Sequence, residues 1–287
     1  MKIGFIGAGK VATAFGRYLH DRGMVIGGYF DRHEDKVAHA ARATRSRACG
    51  DGAEVAACSE MVLITTRDDQ IQPAAADLCR RKAFGAHHLV GHMSGAHPSV
   101  ILSQAEKLGA AVFSLHPLQA FAQEDKAVAD LPHTWFSLDG TDPRIDQVAD
   151  ILNKTGNPFF RILPENKRLY HLSACIISNY LVTLLQTGMT ALKQSGIPPK
   201  EGLTAMLPLI QGTIANVVEM GPAKALTGPI ARGDATTIKH HLEALEEQQL
   251  IDLKAFYSYL GLKTLELAEL DVLKEKSKAE AVKRLLT

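Results

Sequence analysis

The stretch KIGFIGAGKVA, Lys2–Ala12, decides the fold of this chain. It joins a short apolar run, Lys2–Ile6, to the motif Gly7-Ala8-Gly9-Lys10-Val11-Ala12, and a helix-compatible segment continues to Asp21. The first glycine permits a tight turn, the second lets a ligand approach the backbone, and a small third residue lets helix pack on strand. This order predicts a strand, a turn and a helix that together open a nucleotide-binding sheet.

Outward from this unit, the first half of the chain alternates between strand-like and helix-like segments. Further strands are predicted at Val25–Phe30, Met61–Thr65, His88–Met93, Ala111–Leu115, Thr134–Leu138 and Phe159–Leu163, with helix-compatible stretches near Glu34–Ala41, Gln70–Arg81, Pro98–Lys107 and Pro143–Thr155. Such alternation predicts a parallel sheet covered on both faces. After Pro164 the strand signals end. We expect an α/β chain with a Rossmann-type, doubly wound, mostly parallel sheet in residues 1–163 and an all-helical substrate or dimerisation domain in residues 164–287.

Composition narrows the class of protein. The 287 residues are 46% hydrophobic and 22% charged, with a net charge of +1, so no nucleic-acid or anionic-membrane surface is expected. The four cysteines show no C-x-x-C pairing, which favours free thiols in the cytoplasm over disulfides or zinc. No signal peptide is expected before the first strand. The apolar run Leu169–Leu185 is interrupted by polar residues, which favours a buried core helix over a membrane span.

The glycine motif and the end of the second strand predict a dinucleotide cofactor, although an ordinary tight turn has the same local pattern. The helix that follows presents free N–H groups to phosphates. Asp31 suits a free ribose hydroxyl and hence NAD, whereas Arg32 suits the 2′-phosphate of NADP. The choice stays open with a slight preference for NADP. The expected cofactor-binding residues are Gly7, Ala8, Gly9, Lys10, Val11, Asp31, Arg32, Thr65, Thr66, Arg67, Ser94 and Gly95.

The segment ENKRLYHLSACIISNY, Glu165–Tyr180, places polar groups on an otherwise apolar helix. On an ideal α-helix Lys167, His171 and Ser178 lie within about 40° of one another, with Asn179 on the adjacent flank. Such a stripe is expected to face a cleft between the two domains. There, Lys167 or His171 would supply a proton, Asn179 would orient the substrate and Ser178 would contact it. The alternative is a solvated lysine and a core histidine bonded to the backbone.

Other candidate site residues follow the carboxyl ends of predicted strands, where open parallel sheets bind ligands. Ser94 offers a hydroxyl, and His116 offers a titratable group on a rigid turn, although a structural histidine is an alternative. His88 and His92 are about 13 Å apart on a strand, so no metal site is expected. In ALTGPIARGD, Ala225–Asp234, either Arg232 binds a substrate carboxylate or the segment is a structural turn in which Asp234 caps a helix.

Four segments, GHMSGAHPS, SLHPLQAF, KRLYHLSACIISNYL and ALTGPIARGD, resemble those of Rossmann-like proteins that carry a DUF2520 domain. Proteins of that family are described as NAD(P)-dependent oxidoreductases. Their architecture is similar to that of ketopantoate reductases, 3-hydroxyacid dehydrogenases and pyrroline-5-carboxylate reductases, with a 6-phosphogluconate dehydrogenase-like C-terminal domain. The ketopantoate and hydroxyacid enzymes use a helix lysine with an asparagine four residues later. This chain has His171 there, and its nearest asparagine is Asn179.

The resemblance implies an NAD(P)H-dependent reductase of a small 2-keto acid or related carbonyl or C=N compound. Ketopantoate is the first candidate substrate, and a homodimer formed through the helical domain is implied as well. The catalytic set would be Lys167, His171, His116, Ser94 and Asn179, without a metal. The alternative from another class is a dinucleotide-binding sensor that catalyses no reaction.

Overall fold

The computed structural model describes all residues, Met1–Thr287. The chain forms two compact units, Met1–Ser178 and Asn179–Thr287. The first unit contains every strand and the first helix after them. The predicted change from strands to helices falls close to residue 163, because the last strand ends at Arg161. The division of function between residues 1–163 and 164–287 stays a prediction.

The first unit is built on one eight-stranded sheet. Its strands are β1 (Lys2–Ile6), β2 (Val25–Phe30), β3 (Arg47–Ala48), β4 (Met61–Ile64), β5 (Leu89–His92), β6 (Ala111–Pro117), β7 (Phe136–Asp139) and β8 (Phe159–Arg161). The spatial order is β3-β2-β1-β4-β5-β6-β7-β8. The first six strands run parallel, β7 is antiparallel to β6, and β8 is parallel to β7. The prediction of a mostly parallel Rossmann-type sheet is confirmed.

Helices cover the sheet. They are α1 (Lys10–Asp21), α2 (Glu34–Thr44), α3 (Gly52–Ala57), α4 (Asp68–Arg80), α5 (Ser103–Glu106), α6 (Glu124–Asp130), α7 (Asp146–Thr155) and α8 (Lys167–Ala174). Two apolar clusters form the core on either side of the sheet. One includes Phe5, Phe15 and Phe136, and the other includes Val62 and Ile64. Sequence analysis did not predict the short elements β3, α3 and α6, which have few apolar residues for a periodic pattern.

The second unit is all helical, as predicted. Its helices are α9 (Tyr180–Gln194), α10 (Pro199–Met220), α11 (Pro222–Ala225), α12 (Pro229–Arg232), α13 (Ala235–Glu247), α14 (Ile251–Leu270) and α15 (Lys276–Leu286). A small core joins α12 to α15 and includes Ile238, Leu265 and Val282.

The expectation of a buried core helix in Leu169–Leu185 is wrong. Ile177 is 73% exposed and Val182 is 68% exposed, because the apolar side chains of this run have no covering layer within the chain. Two segments, Pro164–Gln194 and Pro199–Met220, are long and apolar enough to cross a membrane by length and composition alone. This is weak evidence for a span, since a helix at a protein interface meets the same two criteria.

Candidate functional site

The glycine motif forms one wall of a cavity of about 550 Å³, called the loop cavity below. Gly7 has φ +106, and a Cβ atom there would lie 2.7 Å from the Thr65 carbonyl carbon, so only glycine fits the turn. A Cβ at Gly9 would meet nothing within 4 Å. The backbone at Gly9 is therefore open to a ligand. Ala12, the small third residue, is completely buried against the sheet.

Asp31 at the end of β2 holds the loop together. One carboxylate oxygen accepts a hydrogen bond from the Ala8 N–H at 2.9 Å, and the other accepts from the His33 N–H at 3.0 Å. Both oxygens already have backbone donors. The carboxylate therefore acts as a structural anchor for the glycine turn, and α2 begins after His33 without a side-chain cap.

Positive side chains surround the opening of the loop cavity. Arg32, Lys36 and Arg67 line it together with His33, while Asp31 is the one carboxylate among the lining residues. Arg67 is paired with Asp69 at 2.8 Å, which leaves Arg32 and Lys36 as exposed cations. Lys36 was not predicted, although its position three residues after His33, in the first turn of α2, could have indicated it.

The twelve residues of the predicted cofactor set fall into three groups: seven line the loop cavity, three support it, and Ser94 and Gly95 do neither. Gly7, Gly9, Asp31, Arg32, Thr65, Thr66 and Arg67 line the loop cavity. The buried Thr66 hydroxyl has no hydrogen-bond partner in the protein. Ala8 is buried, Lys10 donates to the Ala122 carbonyl, and Val11 packs on the core. These three residues support the loop rather than line the cavity.

Ser94 and Gly95 lie just beyond the end of β5 and are not among the residues that line the loop cavity. The Ser94 hydroxyl accepts hydrogen bonds from the Ala96 and His97 N–H groups at 3.1 and 3.3 Å. Buried His92 lies beside the Pro98 carbonyl at 3.3 Å through Nε2, and its Nδ1 accepts from the Ser94 N–H. His92 is thus a structural histidine with both ring nitrogens hydrogen-bonded. The same holds for His88, whose Nε2 bonds to the Ala56 carbonyl and whose Nδ1 accepts from the Gly85 N–H.

Gly95 separates two imidazole rings. A Cβ atom there would lie 2.6 Å from His171 Nδ1 and 2.8 Å from His116 Nε2. The ring centroids of these histidines are 6.2 Å apart and nearly perpendicular. His171 Nδ1 is buried without a partner, and its Nε2 lies 3.5 Å from Cys175 Sγ. Because Gly95 has no side chain, the His116 ring from β6 and the His171 ring from α8 can both pack against it.

Behind His116 lies a group of polar side chains, called the Lys167 cluster below: Lys167, Asp139, Ser137, Tyr170 and His116. Lys167 and Asp139 are completely buried and lie 3.6 Å apart. The Lys167 ammonium donates to Ser137 Oγ at 3.2 Å. His116 Nδ1 is 2.7 Å from the Tyr170 hydroxyl. Asp139 also accepts from the Ser99 N–H at 2.9 Å.

Burial shifts the titration of this cluster. It lowers the pKa of Lys167 to about 8, and the nearby Asp139 carboxylate only partly opposes that effect. Burial, together with the Lys167 and His171 charges, lowers the pKa of His116 to about 3. At neutral pH the cluster therefore contains a charged lysine next to a neutral imidazole.

The expected polar stripe on the helix is only partly present. Lys167 is buried, whereas Ser178 and Asn179 are exposed. The helix makes one turn of π-helix at Cys175–Asn179, so a projection at 3.6 residues per turn does not place Ser178 above His171. The ammonium of Lys167 lies instead against Ser137 Oγ at 3.2 Å and 5.4 Å from the centre of the Tyr170 ring.

The remaining predicted site residues lie in the second unit. Asn179 begins it, and Arg232 is exposed at the end of α12. Asp234 caps α13, where it accepts hydrogen bonds from the Thr237 N–H and hydroxyl at 3.0 and 2.7 Å. The structural alternative for Asp234 is therefore observed, while roles for Asn179 and Arg232 stay predictions. The sequence did not predict roles for Tyr170, Ser137 and Asp139, although Tyr170 is three residues after Lys167 in the same polar stretch, Glu165–Tyr180.

Comparison with protein families agrees with the geometry. A Rossmann-like domain model matches residues 1–117, and a model described as a domain of unknown function, DUF2520, matches residues 134–264. The chain joins a Rossmann-like domain to a DUF2520 domain. The DUF2520 match includes Ser137, Asp139, Lys167, Tyr170 and His171, whereas His116 lies within the Rossmann-like match. A search of curated proteins gave no match.

Solved structures share this architecture over nearly the whole chain. Protein TM1727 from Thermotoga maritima is 23% identical with a TM-score of 0.72, over 94% of this chain and 99% of that one. Pyrroline carboxylate reductase from Plasmodium falciparum, with NADP bound, is 12% identical with a TM-score of 0.59, over 100% and 98%. An imine reductase from a Pseudomonas species is 14% identical with a TM-score of 0.65, over 94% and 97%. At these identities the likeness establishes the fold of the chain.

Proposed function

We propose that this protein is an NAD(P)H-dependent reductase that transfers hydride to a polarised C=O or C=N bond of a small substrate. The observation that carries the proposal is that one chain combines an open glycine turn with two histidine rings that meet at Gly95, beyond the end of β5. A structural turn would need no open backbone at Gly9 and no unpartnered Thr66 hydroxyl. The solved structures of similar fold that are named as reductases support the same class of reaction.

The loop cavity suits a dinucleotide phosphate. The N-terminus of α1 and the Gly9 backbone would bind the pyrophosphate, since free N–H groups favour anions there. Arg32 and Lys36 would bind a 2′-phosphate, and the Asp31 carboxylate is already held by two backbone donors. We therefore propose NADPH over NADH. When bound, the reduced nicotinamide supplies the hydride.

The chain's own residues would polarise and hold the substrate. His116 Nε2 makes no hydrogen bond within the protein, and it would bond to the oxygen or nitrogen that gains negative charge during reduction. His171 Nδ1 is buried close to it and would support the His116 ring. Lys167 is completely buried, so we assign no direct proton transfer to it. Ketopantoate remains the first keto acid to test, and a cyclic imine carboxylate is the first C=N compound.

The test is oxidation of NADPH by a panel of 2-keto acids and cyclic imines, with His116→Gln as the variant and His240→Gln on exposed α13 as its control. The expected result is turnover of at least one compound by the wild type and the control. His116→Gln should lower kcat/KM by about 100-fold, as expected for loss of a polarising donor. Tight NADPH binding with no turnover of any compound would favour the sensor alternative.

We also propose that the helical unit forms a homodimer in the cytoplasm. Leu209 and Val218 on α10 are 66% and 82% exposed, and large exposed apolar surfaces mark interaction sites. A second copy is favoured over lipid because α9 and α10 also contain polar residues, such as Gln186 and Gln211, that are costly in a bilayer. Sedimentation of wild type and Val218→Glu tests this proposal, with a dimer expected for the first and a monomer for the second.

A further inference from the structure

A second cavity, of about 570 Å³, lies in the first unit and shares no lining residue with the loop cavity or with the Lys167 cluster. It forms where the segments after β5 and β7 meet the start of β6 and the start of α8, and it is called the α8 cavity below. Pro98 precedes the helical turn Ser99–Leu102, and Pro164 begins the turn that leads into α8. Both prolines line the cavity together with buried Val112. Part of its surface is therefore hydrocarbon.

Ser99 offers the α8 cavity a free hydroxyl. The residue is 4% exposed, and its N–H donates to buried Asp139 at 2.9 Å. Ser99 Oγ makes no hydrogen bond within the protein, yet it is not sealed from solvent. Because Ser99 lines the α8 cavity, this cavity is the route by which solvent or a ligand reaches the hydroxyl. A polar group on a side chain that is more than nine-tenths buried is thus available to a ligand.

Three charged side chains line the same cavity without forming an ion pair. Arg168 lies in the first turn of α8 and is exposed, although Lys167 beside it is buried. Glu165 comes just before α8, and Glu106 is the last residue of α5. Arg168, Glu165 and Glu106 have no ion-pair partner within the protein. The cavity therefore offers one cation and two carboxylates that are free to bind oppositely charged groups of a ligand.

The chemistry of these groups selects the class of ligand. A guanidinium binds a carboxylate through two parallel hydrogen bonds, and a carboxylate binds an ammonium group. Two carboxylates and one guanidinium make the lining negative overall, which disfavours a phosphate such as that of a nucleotide. Val100 and Val112, with the two prolines, provide apolar contact. A molecule with one carboxylate, one ammonium group and a hydrocarbon side chain matches all of these features.

We propose that the α8 cavity is a second ligand site, which binds an α-amino acid with an apolar side chain. The guanidinium of Arg168 holds the carboxylate, to which the Ser99 hydroxyl also donates. The Glu165 and Glu106 carboxylates accept hydrogen bonds from the ammonium group. This site does not depend on the proposed reductase function. The bound amino acid adjoins the Lys167 cluster through Ser99, whose N–H holds Asp139.

The test is calorimetric titration of the full-length protein, without nucleotide, with L-leucine, L-methionine and L-phenylalanine. At least one of them should bind at one molecule per chain. The amide of the tightest binder lacks the carboxylate, and its deaminated acid lacks the ammonium group, so each should bind about tenfold or more weakly.

Variants of the chain test the same contacts. Arg168→Gln should raise the Kd of the amino acid about tenfold or more, and Ser99→Ala about threefold. Arg161→Gln, at an exposed arginine outside the cavity that pairs with Asp146, is the matched control and should bind as the wild type does. Arg168 is exposed, and Ser99→Ala keeps the backbone hydrogen bond to Asp139, so both variants should fold.

Three results would overturn the proposal: no binding of any of the three amino acids at about 10 mM, unchanged binding in Arg168→Gln, or an amide that binds as tightly as the amino acid. Binding that survives in Arg168→Gln and is lost in His116→Gln would place the amino acid in the proposed reductase site and contradict this one. A chain that binds the amino acid but oxidises no NADPH would contradict the reductase proposal and leave the α8 cavity assignment standing.

Discussion

The polar groups of the loop cavity are exposed to solvent, whereas those of the Lys167 cluster are buried. The loop cavity presents backbone N–H groups and exposed cations, each of which meets solvent independently. The Lys167 cluster is buried, and its members depend on one another through hydrogen bonds and one ion pair. We expect single changes in the loop cavity to act separately. Single changes in the cluster should disturb the whole group.

The largest effect should come from breaking the buried ion pair. Lys167→Met or Asp139→Leu leaves one charge buried without a partner, which costs about 3–5 kcal/mol of folding free energy. The double variant should cost less than the sum of the two, because no charge remains unpaired. Urea denaturation measures all three. Lys278→Met, which breaks an exposed pair with Glu275, is the control and should change little. Additive losses in the double variant would show that the cluster is not interdependent.

Within the loop cavity, the two glycines of the turn should respond differently to substitution by alanine. Gly7→Ala should cost about 2–4 kcal/mol, because alanine is strained at φ +106 and its Cβ would overlap Thr65. Gly9→Ala has no atom to overlap and should fold normally, yet its methyl group would fill the space needed by the pyrophosphate. Thermal denaturation together with NADPH titration separates the two effects. Equal stability losses in both variants would contradict this account of the turn.

The pH dependence of the folding free energy tests a third feature, the buried His92 beside the Lys167 cluster. Burial lowers its pKa to about 3, so between pH 6.5 and 3 the unfolded chain binds a proton that the folded chain does not. Stability should fall with decreasing pH across this window, by about 1.4 kcal/mol for each pH unit from this group. His92→Asn should reduce that slope, measured by denaturation at several pH values, whereas exposed His240→Asn should keep it. An unchanged slope in His92→Asn would show that His92 is protonated in the folded chain.

The smallest effect should be on cofactor choice. Arg32→Ala and Lys36→Ala each remove one cation at the rim of the loop cavity, and each should weaken NADPH binding about tenfold while NADH binding changes little. Lys154→Ala, on the exposed side of α7, is the matched control. Calorimetric titration with both nucleotides measures the preference. Equal losses for NADPH and NADH would place the two cations away from the 2′-phosphate.

These two regions also differ in how far the sequence could predict them. The Gly7–Ala12 motif could be predicted because the tight turn needs glycine for its backbone conformation. The strand and helix on either side also have clear hydrophobic periodicity. The pairing of Lys167 with Asp139 could not be predicted from the sequence. It depends on β7 running antiparallel to β6 and on Lys167 of α8 reaching Ser137 and Asp139 of β7, and neither follows from local propensity. The exposed apolar face of α9 and α10 was missed because periodicity identifies an apolar stripe and not what covers it.

The most direct test of the reductase proposal is transfer of deuterium from NADPH labelled at the nicotinamide C4 position. The labelled cofactor would be incubated with the protein and a mixed pool of 2-keto acids and cyclic imines, and the products analysed by mass spectrometry. The account predicts one reduced product that carries deuterium, and loss of that product in His116→Gln. Bound NADPH that keeps its deuterium with every compound in the pool would contradict it.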